Sequence, residues 1–301
     1  MKEPLIIVID AGHICNSAKH AMKGVDLTHQ NINTGVIYTF LNQVSTFITK
    51  FKTRRIVFCW DSRTSKRQEI YPEYKANRKD ISKLTEEDII YNDVCYSQFA
   101  KIREDVLPSI GFKNNFYQDG YEADDLIAAL VSNLSNCKIC VVANDHDLFQ
   151  FLSDKTFLYD YRTKTKYTDK DLFEEFDVTP IQWAEMLTIS GCITDNVKGV
   201  VFDYKDNKPR HIGKTVAIKY IKGKLPRNKA YTAIVSETGK RTIERNRKLV
   251  CLPFKGTTIP RLVFDEEFYL KDFEAMCEKY GFYSFLKAER LIAWRDILGM
   301  K

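Results

Sequence analysis

The sequence predicts an α/β fold: an open, mostly parallel sheet with helices on both faces. Two observations carry this expectation. Three short apolar runs, LIIVID (5–10), RRIVFCWD (54–61) and KICVVAND (138–145), are β-branched or aromatic, and each closes on an aspartate. Runs of this kind read as parallel strands buried on both faces. The stretches between them repeat apolar residues at helical spacing, and β-α-β alternation implies a parallel sheet covered on both sides.

The elements follow in order. After the first run, Val36, Ile37, Phe40, Leu41, Val44, Phe47 and Ile48 predict a helix over roughly 33–50. After the second, helical patterns cover about 93–107 and 123–134, and the latter leads into the third run. IQWAEMLTI predicts a further helix near 181–190, and residues 243–301 read as helices with short connectors, closing on the amphipathic YGFYSFLKAERLIAW, whose aromatics read as core. With 301 residues and 44% hydrophobic content, the chain suffices for one large domain or two unequal ones.

Charge is unevenly distributed. Between Lys205 and Lys248, fourteen Lys/Arg face three acids, a local +11 against +6 overall, so the remainder carries −5. An acidic body joined to a basic segment suits a polyanionic partner. No stretch approaches the roughly 18 apolar residues of a membrane span, and LIIVID is too short for a signal peptide's apolar region, so a cytoplasmic protein is expected. The eight scattered cysteines fit a reducing compartment, and the single CxxC, Cys137 to Cys140, reads as buried thiols.

In open parallel sheets the ligand site lies beyond the carboxyl ends of the strands. Asp10, Asp61 and Asp145 fall there. The stretch GYEADDLIAALV opens a helix whose N-terminus points to the same edge and adds Glu122, Asp124 and Asp125; Asp147 follows in NDHDL, and Asp195 in the loop SGCITDN. A helix dipole favours a carboxylate by only about 0.3–1 kcal/mol, too little to hold such a group together. All-oxygen sites point to hard divalent ions, Mg²⁺ or Mn²⁺, and this many carboxylates suit two ions acting on a phosphodiester.

These residues, with the PEYKANR segment after Asp61, YEADD, NDHDL, GCITDN and the HIGKTVA turn, resemble the structure-specific 5′ nuclease family of flap endonucleases and 5′→3′ exonuclease domains, its bacteriophage members most closely. The resemblance spans essentially the whole chain. It implies a PIN-like nuclease core over 1–170, a helical arch at about 62–92, and a helical duplex-DNA-binding region over 171–301. It further implies divalent-metal-dependent hydrolysis at 5′ flaps and junctions of branched DNA, with 5′→3′ exonuclease or RNase H-like action on RNA–DNA hybrids in phage replication. The expected protein is a monomer that meets replication proteins. Carried over by position, Asp10, Asp61, Glu122, Asp124 and Asp125 surround a first metal, and Asp145, Asp147 and Asp195 a second. Lys75 and Arg78 become catalytic, Lys75 reaching the scissile phosphate. Arg67 and Tyr74 belong to the strand-binding arch. Gly213, Lys214 and Thr215 form a helix-turn-helix-like turn that grips duplex phosphates, an element that in the family commonly holds K⁺.

Two departures stand out. The family usually has Gly-Asp where this chain has Gly191-Cys192, and a neutral thiol is a poor Mg²⁺ ligand, so the second ion is expected to be weakened. After Val200 the chain inserts VFDYKDNKPR, a longer and more basic loop. Cys192 motivates one alternative, a catalytically weakened junction-binding protein; a PIN-like ribonuclease shares the acid-lined sheet. A phosphatase using Asp10 lacks a second Asp two residues on, and GKT lacks the first glycine of a P-loop.

Overall fold

A computed structural model describes residues 3–25, 27–78 and 84–301. Its centre is a six-stranded sheet of β1 (Leu5–Asp10), β2 (Ile56–Trp60), β3 (Asn115–Tyr117), β4 (Lys138–Val142), β5 (Thr156–Asp160) and β6 (Thr165–Tyr167). The spatial order is β3-β2-β1-β4-β5-β6, parallel throughout except for the antiparallel β5–β6 pair. The three apolar runs are the three middle strands. Alternation sorts their side chains: Ile7, Ile9, Phe58, Cys140 and Val142 face one core, while Ile6, Val8, Val57, Cys59, Ile139 and Val141 face the other. Fully burying each Val, Ile or Phe contributes about 1.5–3 kcal/mol.

On the first face lie α1 (Ala11–Ala21), α2 (Gly35–Phe51) and α3 (Glu86–Lys101). The second face is covered by α4 (Ala123–Asn133), α6 (Pro180–Ser190), α7 (Lys214–Ile221), α8 (Lys229–Val235) and α9 (Glu237–Val250); α5 (Asp169–Phe176) packs Leu172 there. The chain then returns, and α10 (Leu270–Tyr280) and α11 (Ala288–Leu298) bury Phe273, Met276, Trp294 and Leu298 against the first face. Of the aromatics of the closing segment, Tyr280, Phe282, Phe285 and Trp294 are core, whereas Tyr283 is exposed, against the expectation.

Some elements differ from expectation for identifiable reasons. The helix expected over 93–107 begins earlier, at Glu86, because Thr85 and Asp88 form a reciprocal capping box; it then passes through a π-turn at Ile102–Val106 into Leu107–Ile110. The inserted VFDYKDNKPR is a hairpin of Val201–Lys205 with Lys208–His211, turned by Asp206 and Asn207 at positive φ. Of the expected arch, residues 79–83 lie outside the described residues. All eight cysteines are free.

The topology fixes where a site can form. Strand order reverses between β1 and β4, and beyond the carboxyl ends at such a switch point lies an open crevice. The loop that closes this crevice starts at Gly191, with φ 71° and ψ −174°, a region essentially reserved for glycine. A Cβ there would sit 2.1 Å from the Val197 carbonyl oxygen. Asn246, fully buried on α9, donates to the Thr188 and Lys198 carbonyls at 3.0 Å each, tying the loop to α6. Gly191→Ala is expected to lose about 1–3 kcal/mol in chemical denaturation; unchanged stability would show that this backbone is unstrained.

Candidate functional site

Asp10, Asp61, Asp124, Asp145 and Asp147 line one cavity of about 850 Å³ at the switch point, together with Lys75, Arg78, Cys192, Gly213 and Lys214. Local structure explains each position. Asp10 ends β1 and caps α1, accepting from the His13 N–H at 2.9 Å. Asp61 follows β2 and accepts from the Ala123 N–H at the start of α4, 2.9 Å away. Asp145 caps the short helix His146–Phe151 through the Asp147 N–H at 2.8 Å. Gly12 leaves room for this group, since a Cβ there would lie 2.7 Å from Asp61 Oδ2.

These carboxylates repel. Burial, then Asp61 and Asp145, push the Asp10 carboxyl well above the usual range against the His13 N–H and Lys75. Burial, Asp145, Asp10 and Asp61 do the same to Asp124, whose buried Oδ1 has no hydrogen-bond partner. Lost hydration and Glu122 raise the Asp61 carboxyl against the Ala123 N–H, Lys75 and Arg78; the residue as a whole is exposed, so the rise is smaller than a fully enclosed carboxyl would show. Burial, Asp145 and Asp195 push Asp147 up to about 7. An orphaned acceptor among mutually repelling carboxylates is the donor set a hard divalent cation fits.

A second group is tighter. One oxygen each of Asp147 and Asp195 and the Cys192 sulfur lie within 4.8 Å of one another, the single such set of three among the described residues. Cys192 Sγ is 3.4 Å from Asp147 Oδ2 and 3.0 Å from Thr194 Oγ1, and burial with Asp147 and Asp195 pushes the thiol up to about 12.

Other expected site residues are already engaged by the protein. Glu122 Oε2 accepts from Lys75 Nζ at 2.8 Å and from the Tyr74 hydroxyl at 3.0 Å; Asp195 accepts from the same hydroxyl at 3.0 Å and from Arg78 at 2.8 Å. Tyr74 is therefore buried between two carboxylates. Arg67 is engaged in the same way. Only 1% exposed, its guanidinium makes a bidentate pair with Asp125 at 2.7 Å for both bonds and donates to the Leu249 carbonyl. Asp125 is fully buried, also accepts from the Glu122 and Phe254 N–H groups, and does not line the cavity. Successive helical residues diverge by about 100°, and Asp124 and Asp125 accordingly take opposite duties.

Gly213, Lys214 and Thr215 are exposed at the start of α7, which has no side-chain cap, and the space above Gly213 is open. His13, Asn16 and Asn144 also line the cavity and escaped the sequence reading. The signal for His13 was available: a strand-end Asp that caps a helix draws in the residue three positions on. His146 lines the cavity but stacks on Phe149 with ring centroids 4.5 Å apart.

The raised carboxyls set a direction for stability. Between about pH 4 and pH 7 folded Asp147 keeps a proton that the unfolded chain has released, so stability is full below that window and falls as pH rises through it. Asp10, Asp61 and Asp124 act in the same sense, whereas His13, held below its ordinary value by burial and Arg162, opposes them. In chelator the protein is expected to melt at least about 2 °C lower at pH 8 than at pH 5. A higher melting temperature at pH 8 would contradict this.

Similarity to known proteins agrees with the geometry. DNA polymerase I of Mycobacterium leprae is 28% identical over 206 residues, 66% of this chain but 21% of that protein, so the chain spans about a fifth of its length. The 5′-3′ exonuclease of Buchnera aphidicola is 26% identical over 204 residues, 66% of this chain and 67% of it. The fold is that of the flap endonuclease of bacteriophage T5, solved as a pseudo-enzyme-product complex with DNA and metal ions, with a TM-score of 0.66 at 19% identity over 98% of each chain. The family described as 5′-3′ exonuclease, N-terminal resolvase-like domain, matches residues 5–177, more than half of the sequence, and the chain belongs to that family.

Proposed function

We propose that the protein is a divalent-metal-dependent 5′ nuclease that hydrolyses phosphodiesters at 5′ flaps and junctions of branched DNA. One observation carries the reading: four carboxylates, Asp10, Asp61, Asp124 and Asp145, share a cavity in which Asp124 Oδ1 has no partner. Hard divalent ions fit them, Mg²⁺ or Mn²⁺, with Asp147 and Asp195 beside Cys192 as the second holder. When bound, such ions supply charge neutralisation at the phosphate and an acidified water.

The chain's own residues do the rest. Lys75 stands at the cavity wall with its backbone at φ +54°, held by an N–H bond to the Asp195 carbonyl at 2.9 Å. Lys75 and Arg78 line the cavity, and their cationic groups, paired here with Glu122 and Asp195, suit the non-bridging oxygens of a scissile phosphate. The free N–H groups at Gly213, Lys214 and Thr215 suit a duplex phosphate one step away. Lys205, Lys208 and Arg210 on the adjacent hairpin are exposed and extend this grip without reading sequence. K⁺ at the turn before α7, action on RNA–DNA hybrids, a monomeric state and a cytoplasmic setting belong to the same reading. So does the division into a nuclease core over 1–170 and a duplex-binding region over 171–301. Among the described residues no helix is long and apolar enough to cross a membrane.

A specific observation favours a graded activity. Cys192 replaces a carboxylate in the second group, so flap endonuclease cleavage in Mg²⁺ is expected to exceed exonuclease cleavage of nicked or blunt duplex, and Cys192→Asp to raise the latter. Asp124→Asn is expected to lower both by at least about 100-fold. Junction binding with no metal-dependent cleavage would leave the weakened binding protein instead; equal activities unmoved by Cys192→Asp would refute the graded reading.

A further inference from the structure

The donor set of the second group differs in kind from the first. Asp147 comes from the short helix His146–Phe151, and Cys192 and Asp195 from the loop that Gly191 and Asn246 hold in place. Their ligand atoms already lie within 4.8 Å of one another. Cys192 is 7% exposed, lines the same cavity and has its sulfur directed at Asp147. Mg²⁺ demands oxygen ligands in near-ideal octahedral geometry and gains little from sulfur. Zn²⁺ and Cd²⁺ accept mixed sulfur and oxygen sets in four-coordinate, tetrahedral sites, and thiolate is the ligand that selects them.

We infer that the position formed by Asp147, Cys192 and Asp195 selects a thiophilic divalent cation over Mg²⁺, while the all-oxygen group of Asp10, Asp61, Asp124 and Asp145 keeps the preference for a hard ion. The inference rests on the metal-nuclease reading above and deepens it: the two positions are chemically unlike, and the second is retuned by Cys192 instead of merely weakened. On binding, the cation forms a bond to Cys192 sulfur and the thiol proton passes to water. No other cysteine among the described residues is grouped with two further metal-binding side chains so closely, which makes the signal assignable.

The test is optical and needs no turnover. The full chain, kept reduced, is titrated with Cd²⁺ while the ultraviolet thiolate-to-cadmium charge-transfer band is recorded, and separately with Mn²⁺ while free ion is counted by electron paramagnetic resonance. Wild type is expected to develop the band at one equivalent. Cys192→Ser is expected to lose it, with Cd²⁺ affinity at least about 10-fold weaker and Mn²⁺ binding intact; Cys192→Asp should abolish the band and strengthen Mn²⁺ binding. Cd²⁺ bound to wild type without a thiolate band, or a band that survives in Cys192→Ser, overturns the inference alone. Failure of wild type to bind Mn²⁺ at all overturns the metal-nuclease reading as well.

Discussion

Like charges gathered at one edge of a sheet constrain the rest of this molecule. Strand order reverses between β1 and β4, so the residues that end β1, β2 and β4 meet at one crevice, and in this chain all three are followed or closed by aspartate. The fold brings α4 in at the same edge and adds three more acids. Parallel strands buried on both faces cannot shift register to relieve the crowding without turning Ile7 and Val8 to the wrong cores. The repulsion is therefore held in place by hydrophobic packing, and the acids must find countercharges locally.

The protein supplies countercharge to some of them and not to others. Arg67 saturates Asp125 within the core, and removing one partner of such a buried pair costs about 3–5 kcal/mol. Lys75 and Arg78 take Glu122 and Asp195, with the Tyr74 hydroxyl bridging the two carboxylates. All four residues come from one segment, 67–78, which also docks on the loop after α6: Asn196 donates to the Glu73 carbonyl at 2.8 Å, and Lys198 pairs with Glu73 at 2.8 Å. That segment thus fixes the site's rim and pairs with none of Asp10, Asp61, Asp124 and Asp145, the acids of the proposed hard-ion group. Asp195 is the acid held in common, paired with this segment and grouped with Asp147 and Cys192.

Much of this was legible in the sequence because it depends on local pattern. Apolar runs ending in Asp gave the strands and the edge, and helical spacing gave α2, α4 and α6. What was not legible depends on long-range pairing. EADD alone does not say that Asp124 faces the cavity while Asp125 meets an arginine 58 positions earlier. Helical geometry implies only that the two must diverge. Likewise Arg67 and Tyr74 have the composition of a strand-binding segment, yet burial converts them into core countercharge and bridge. The hairpin at 201–211 was hidden for a different reason: a Pro and several charges lower strand propensity, and the turn residues Asp206 and Asn207 decide the outcome.

The separation of duties between adjacent aspartates is the central claim, and thermal melting with and without Mn²⁺ tests it most directly. Asp124→Asn removes a repelling carboxylate, so the account predicts a higher melting temperature in chelator and a loss of the rise that Mn²⁺ produces. Asp125→Asn strands Arg67, so it predicts a lower melting temperature in chelator with the Mn²⁺-induced rise retained. Two variants that behave alike, or an Asp125→Asn protein of unchanged stability that no longer responds to Mn²⁺, would contradict the account.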